Sequence, residues 1–474
     1  MRARFSRFKN VVIYGPPGTG KTRMLIEETA GYLASRPDAR ILFCSHTRAA
    51  AMTGIERWGQ KSGRIDIQTL HSFCFRTMKY GRDQTVEGPK LEHFVEGFGL
   101  DMEDGGDGKR YVEIINYAGS CNLDPMEAYM ASSRPGNARH FESFSTSYLD
   151  WKKQMGYVDF NDMLRGYLKH NDTSGYNLLV VDEAQDLTPL QWQIIRRFLK
   201  LNAGCKAYIA GDDDQCIYSY AGAYPHGMDE FATDTNAKVI VLEKSHRIPK
   251  AVHTLAEGVI SNVERRVAKA YQPREEQGEI IPMGYADEMK IDPAKDTLVL
   301  YADRYVRKDV EQHLIDLRVP FTATGGFPAP LQTRAAQAIK ACHNGNMSEQ
   351  DIETMRRALH TQGQDVYRVV GPEMVAQRIR EGDYSLLKMH WSIADYLAGI
   401  DWSAPIKCRI STIHGAKGME AEDVHLVTAQ SQSAVEHSLR DPDAQHRLMY
   451  VGVTRASQRL FTYEGDNAYN LSQF

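Results

Sequence analysis

The chain has 474 residues, too many for one ordinary domain and enough for three or four at roughly 150 residues each. With 42% apolar and 25% charged residues it has the composition of a soluble globular protein, and no apolar run approaches the ~20 residues that a membrane span needs. The formal net charge of −4 advertises no bulk attraction to nucleic acid, so any such partner must be held by local grooves.

The N-terminus is basic, but the apolar run behind it, Val11–Tyr14, is too short for a signal-peptide core, and a cytoplasmic location is expected. Seven scattered cysteines form no C-x-x-C pair, which points to reduced thiols rather than a disulfide framework or zinc site. Short apolar runs alternate with helical stretches, the pattern of an α/β fold with parallel sheets. In chain order the expected strands are Val11–Tyr14, Ile41–Ser45, Leu178–Val181, Ala207–Ala210, Val239–Leu242, Thr297–Tyr301, Arg409–Thr412, Val424–Thr428 and Leu460–Tyr463. Residues 77–158 and 331–405 break the alternation and read as helical insertions into two α/β cores.

Val11–Tyr14 leads directly into Gly15-Pro16-Pro17-Gly18-Thr19-Gly20-Lys21-Thr22 and then into a helical stretch. This is G-x-x-x-x-G-K-[ST] in the strand–loop–helix setting that phosphate binding needs. Glycines let backbone N–H groups curl around phosphate, and the helix N-terminus adds partial positive charge. Gly15, Pro16, Pro17, Gly18, Thr19 and Gly20 are therefore expected to cradle ATP, Lys21 to hold its β/γ-phosphates, and the Thr22 hydroxyl to ligate Mg²⁺. At average glycine usage a chain of this length matches the spacing by chance on the order of once in a hundred.

Leu178–Val181 is wholly apolar and ends in Asp182-Glu183-Ala184-Gln185-Asp186. Alone, two acids after an apolar strand would be an ordinary solvated strand end. Beside a P-loop, Asp182 is expected to hold the metal through water and Glu183 to orient and deprotonate the attacking water. Thr188-Pro189-Leu190-Gln191 has the form of an N-cap, a first-turn proline and a capping-box glutamine, so Gln191 is assigned to capping.

Further blocks follow in order: Thr69-Leu70-His71-Ser72-Phe73, Asp159-Phe160-Asn161-Asp162, Gly211-Asp212-Asp213-Asp214-Gln215-Cys216-Ile217-Tyr218, Lys244-Ser245-His246-Arg247, Thr412-Ile413-His414 running on to Glu420, and Tyr450-Val451-Gly452-Val453-Thr454-Arg455-Ala456. Together these blocks resemble the ordered motifs of UvrD/Rep/PcrA-type superfamily I DNA helicases, from the P-loop almost to the last residue. The resemblance implies two RecA-like parallel-sheet P-loop domains, about 1–76 plus 159–250 and about 251–330 plus 406–474, with ATP between them. It implies ATP-driven movement on single-stranded DNA, 3′→5′, with ss/dsDNA junctions as substrate; it names no protein partner.

Residue by residue, Gln215 resembles the glutamine that senses the γ-phosphate, and Arg247 and Arg455 the arginines that reach it. Glu420 resembles a contact to the nucleotide sugar, and His246 stands where a tyrosine usually stacks on adenine. Thr69, His71, Thr412 and His414 resemble DNA-contacting positions, one Thr-x-His in each core. Tyr220 falls where an aromatic stacks on a base, an interaction that tolerates any sequence; as an isolated residue it would read as core packing. His46 replaces a phenylalanine of the DNA-contacting set.

The pattern has departures. No glutamine precedes the P-loop to read adenine, Ala221 stands where an arginine is expected after the base-stacking aromatic, and the second insertion is short for the family. Two other readings stay open: a single-stranded DNA translocase that barely unwinds, and a P-loop ATPase acting as a nucleotide-controlled clamp or assembly subunit.

Overall fold

The computed structural model describes residues 4–474 except 6, 46–62, 104, 133–135, 172–174, 325–328, 344–346 and 466. The chain divides into two compact units, residues 1–247 with 263–274, and residues 248–262 with 275–474.

The first unit is built on strands β1 (Asn10–Tyr14), β2 (Ile41–Cys44), β3 (Ile65–Gln68), β4 (Leu178–Val181), β5 (Lys206–Gly211) and β6 (Lys238–Val241), in the order β3-β2-β4-β5-β1-β6. Every neighbouring pair is parallel. Strands covered on both faces are largely apolar, and β1, β2 and β4 are buried at every position, with Asn10 at the start of β1 their one polar amide. Side chains alternate between the faces. Val12, Tyr14, Leu179 and Val181 join one core, with Ile194, Ile195 and Phe198 of the helix Pro189–Leu201. Val11, Ile13, Leu178 and Val180 join the opposite core, with Leu25 and Tyr32 of the helix Lys21–Ser35. Each such side chain contributes ~1.5–3 kcal/mol by leaving water.

The register matters for the site. Tyr14 pairs with Gly211, and β5 lies between β1 and β4. The loops after β1, β4 and β5 therefore leave the same edge of the sheet side by side, where ligands of open parallel sheets bind.

Residues 77–158 hold the helices Pro89–Glu96, Asp107–Cys121, Pro125–Ala131 and Ala138–Met155 around an aromatic core of their own. Phe94 stacks on Trp151 and Tyr129 on Phe141, with ring centroids 4.7 Å and 4.3 Å apart. The insertion is fastened to the rest of the unit by a charge triad whose Lys152 and Asp159 are buried and whose Asp162 is part-exposed. Lys152 is paired with Asp159 and lies 2.6 Å from Asp162, while Asp159 caps the helix Phe160–Leu168 through a capping box with Asp162.

The second unit carries β7 (Glu279–Met283), β8 (Thr297–Tyr301), β9 (Phe321–Ala323), β10 (Cys408–Thr412), β11 (Ala421–Val427) and β12 (Ala456–Tyr463), ordered β7-β12-β11-β8-β10-β9 and again parallel. Its helices Arg334–His343, Glu349–Ala358, Thr361–Arg380 and Trp391–Ala398 share one core with the sheet, in which Val299 and Phe321 meet Ile339, Met355, Ile379 and Leu397. Thr361–Arg380 is kinked at Gly371, whose φ of 79° precedes Pro372. The fold is the expected α/β class with two parallel sheets. All nine expected strands are present, and β3, β7 and β9 are additional. Among the described residues no helix is long and apolar enough to cross a membrane, and none of the seven cysteines is disulfide-bonded.

Lys152 and Asp159 are 5% and 7% exposed at the side chain, so removing the cation leaves the buried Asp159 carboxylate uncompensated. Lys152→Met is expected to cost ~3–5 kcal/mol, read from urea unfolding. Burial alone would raise the Asp159 carboxyl, but Lys152 outweighs it and holds it below its ordinary value. That stabilisation is therefore complete above about pH 4 and lost as pH falls through the depressed value, and Lys152→Met should flatten this acid limb.

Candidate nucleotide site and nucleic-acid face

The P-loop leaves β1 anchored to β5, with Gly15 N–H donating to the Gly211 carbonyl at 3.0 Å. Lys21, in the first turn of the following helix, folds its ammonium back onto the Gly15 carbonyl at 2.6 Å. Thr19 Oγ1 closes the turn on the Pro16 carbonyl at 2.7 Å. Gly18 has φ +73°, and a Cβ there would lie 2.5 Å from Arg247 Cβ and 2.7 Å from Ser245 Oγ. Glycine is required here because the Lys244–Arg247 block docks on the loop. Ser245 Oγ donates to the Pro17 carbonyl at 2.8 Å, His246 N–H to the Gly18 carbonyl at 2.9 Å, and Arg247 N–H to Ser245 Oγ at 3.2 Å. The buried Ser245 was not among the expected site residues.

Thr22 Oγ1 donates to Asp182 Oδ2 at 2.6 Å, joining the loop after β1 to that after β4. A hydroxyl and a carboxylate oxygen side by side are hard oxygen donors of the kind that would suit Mg²⁺. Burial first, then the neighbouring Glu183, pushes the Asp182 carboxyl up to about 6. Glu183 has φ +54°, a left-handed conformation that costs a non-glycine residue ~1 kcal/mol or more and clusters at functional sites.

Gln185, fully buried and absent from the expected set, ties this loop to the next. Its Nε2 donates to Glu183 Oε2 at 2.6 Å, and its Oε1 accepts from Asp212 N–H at 3.0 Å. Gly211 makes room for it, since a Cβ there would lie 2.4 Å from Gln185 Oε1. Asp212 Oδ2 in turn accepts from Gln215 Nε2 at 2.6 Å. Thr22, Asp182, Glu183, Gln185, Asp212 and Gln215 thus form one chain of hydrogen bonds and adjacent residues across three loops. Gln191 makes its capping box with Thr188.

On the neighbouring face, Thr69 follows β3 and caps the helix Leu70–Thr77, its hydroxyl accepting from Ser72 N–H at 3.2 Å. His71 meets Phe160 edge-on, ring centroids 5.5 Å apart. Thr69, His71, Phe75, Arg76, Arg82 and Phe160 line a cavity of about 780 Å³. A smaller cavity of about 70 Å³ touches Thr69 and His71 on one side and Asp182 on the other. Tyr220 is 60% exposed rather than packed in a core. His46 lies outside the described residues.

In the second unit Thr412 plays the part of Thr69: it ends β10, and its Oγ1 accepts from Gly415 N–H at 2.9 Å, with His414 in the turn between them. Arg455 is 1% exposed. Its Nε donates to the Val451 carbonyl at 2.8 Å and its Nη1 to the Met419 carbonyl at 3.2 Å. Since Ala421 N–H donates to the Arg455 carbonyl at 3.2 Å, Glu420 is held between two contacts to Arg455.

Comparison with known proteins gives two family matches. Residues 3–236 match the UvrD/REP helicase N-terminal domain, and residues 407–463 the UvrD-like helicase C-terminal domain. The ATP-dependent DNA helicase UvrD2 of Mycobacterium tuberculosis is 24% identical over 95% of this chain and 76% of its own length. The putative ATP-dependent DNA helicase YjcD of Bacillus subtilis is 23% identical over 74% of this chain and 51% of its own. The ATP-dependent DNA helicase Rep of Salmonella typhimurium is 26% identical over 65% of this chain and 52% of its own.

The loop geometry separates two glycines. Gly18→Ala meets both a positive φ and the Arg247–Ser245 backing, whereas a Cβ at Gly20, φ +84°, has nothing within 4 Å. Gly20→Ala is expected to cost ~1–2 kcal/mol for conformation alone. Gly18→Ala should cost at least ~1 kcal/mol more, and equal urea midpoints would show that the Lys244–Arg247 block does not pack on the loop.

Proposed function

This chain belongs to the UvrD/REP helicase family, the ATP-dependent DNA helicases, and from that premise we propose that it moves 3′→5′ along single-stranded DNA and opens ss/dsDNA junctions, driven by ATP hydrolysis. The observation that carries the reading is the linked polar chain from Thr22 to Gln215, on three loops at one edge of a parallel sheet, with a cavity lined by Thr69 and His71 close by.

The proposed division of labour follows the chemistry of each group. Residues Gly15–Gly20 and Lys21 hold the phosphates. Thr22 and Asp182 hold Mg²⁺, which when bound neutralises charge on the phosphate oxygens. Glu183, within one residue of the metal position and hydrogen-bonded to Gln185, orients and deprotonates the attacking water. Gln215 reports the state of the γ-phosphate to the loops around it. Arg247 and Arg455 stabilise charge on the transferring phosphoryl group, a contribution that reaches ~10³–10⁵ in rate for such arginines. His246 and Glu420 are assigned to the base and sugar of the nucleotide. On the DNA side, Thr69, His71, Thr412 and His414 contact the strand and Tyr220 stacks on a base, with His46 assigned to the same track.

The two Thr-x-His blocks favour a track over a nucleotide-controlled clamp. Each places a threonine-capped turn and a histidine at the C-terminal end of a parallel strand, one in each unit. One observation favours the weaker motor, a translocase with little unwinding: residues 331–405 share a core with their sheet instead of forming a lobe of their own.

Steady-state ATP hydrolysis is expected to rise severalfold or more with single-stranded DNA and to fall ~10²-fold or more in Glu183→Gln. Hydrolysis indifferent to DNA, yet lost in Glu183→Gln, would keep the ATPase and remove the track. Strand displacement on tailed duplexes then assigns direction: unwinding from a 3′ tail is expected, and unwinding only from a 5′ tail contradicts the polarity. Stimulated hydrolysis without displacement would select the translocase.

A further inference from the structure

Three consecutive carboxylates, Asp212, Asp213 and Asp214, are each at most 2% exposed. Buried acids side by side repel one another and lose hydration, so cations must be brought to them. They come from residues 263–274, a segment of the first unit flanked on both sides by chain of the second. Arg266 grips Asp214 with two prongs, Nε at 2.8 Å and Nη2 at 2.6 Å. Val267 N–H donates to Asp213 Oδ2 at 2.8 Å. Lys269, 1% exposed at the side chain, pairs with Asp213 and lies 2.9 Å from Asp214 Oδ2 and 3.4 Å from Asp212 Oδ1. Burial alone would lower this ammonium, but Asp212, Asp214 and Asp213 together hold it above its ordinary value.

Asp212 is the member that reaches the site. Its Oδ2 accepts from Gln215 Nε2 at 2.6 Å, and its backbone N–H is the group held by Gln185. A carboxylate only accepts, so the Gln215 amide must turn its NH₂ toward Asp212 and its carbonyl oxygen the other way. An Asp212 that lost its position would let the amide rotate by half a turn and exchange donor for acceptor. Burial pushes the Asp212 carboxyl up, and the first charge that opposes this is Lys269, ahead of the P-loop lysine Lys21.

We propose that Lys269 is a positioning residue for ATP hydrolysis: it holds Asp212 in place as an acceptor, and Asp212 sets which end of the Gln215 amide meets the nucleotide. The proposal rests on the reading of Gln215 as the γ-phosphate sensor. It assigns a role in the reaction to a residue that touches neither nucleotide cradle nor metal position and that stands 56 residues from Asp213 in the chain.

The test is a cycle of full-length variants assayed for ATP hydrolysis at saturating single-stranded DNA, with thermal unfolding as the check on folding. Lys269→Met leaves three acids with less compensation, so Lys269→Met/Asp213→Asn accompanies it to relieve the excess charge. In the folded variants kcat is expected to fall about tenfold to a hundredfold, as for misplacement of a reacting group. The KM for ATP should stay within about twofold, because binding and positioning separate in this way. Lys269→Arg should recover most of the rate. In a Gln215→Ala background, Lys269→Met should cost little more, since both act through one amide. A folded Lys269→Met/Asp213→Asn with wild-type kcat would overturn the proposal, as would an undiminished loss in the Gln215→Ala background. Wild-type hydrolysis by Gln215→Ala itself would instead remove the reading of Gln215 on which the proposal stands.

Discussion

A single buried amide joins the parts of the site. Gln185 donates to Glu183 and accepts from Asp212, so the loop after β4 and the loop after β5 cannot move independently without leaving a buried polar group unpaired. An unmade hydrogen bond of that kind costs ~1–3 kcal/mol, more where a charge is involved. Thr22 adds the third loop through Asp182, and the carboxylates of Asp182, Glu183 and Asp212 and the amide of Gln215 become one linked assembly. The order of the sheet makes this possible. Only because β5 lies between β1 and β4 do the three loops emerge beside one another.

The surrounding structure answers the demands of that assembly. Glycines stand at positions 18 and 211 because Ser245, Arg247 and Gln185 occupy the space a Cβ would need. Glu183 keeps a left-handed backbone that its neighbours must over-determine. The acids after β5 require a lysine and an arginine from a distant segment, 263–274, and that segment returns to the first unit between two stretches of the second. Charge compensation and chain path are in this way the same fact. The Thr-x-His blocks reuse one local solution twice: a threonine that caps the turn after a strand and a histidine two residues on.

The central strands were legible because burial on both faces leaves a run such as Leu178–Val181 no polar residue. β3, β7 and β9 were not, and each is an edge strand. Ile65–Gln68 alternates with polar residues, Glu279–Met283 contains a proline that only an edge tolerates, and Phe321–Ala323 spans three residues. At the site, spacing pointed to the P-loop and the acids because their chemistry is local in sequence. Gln185 stands inside the block Asp182–Asp186, but its bridge to Asp212 depends on β4 and β5 being neighbours, which no spacing reveals. Lys269 and Ser245 escaped for the same reason. The family resemblance points Thr69 and Thr412 to DNA alone, although threonine ahead of a helical turn is also a capping signal, and both cap the turn that follows them.

The most direct test of the linked assembly is the hydrolysis rate of Gln185→Met, a side chain of similar length that can make neither hydrogen bond. If the amide links the loops, Gln185→Met is expected to fold with a kcat at saturating ATP and single-stranded DNA lowered on the order of a hundredfold, and a KM for ATP changed severalfold at most. A folded Gln185→Met that hydrolyses ATP at the wild-type rate would show that the loops after β4 and β5 act without the amide between them, and would contradict that link.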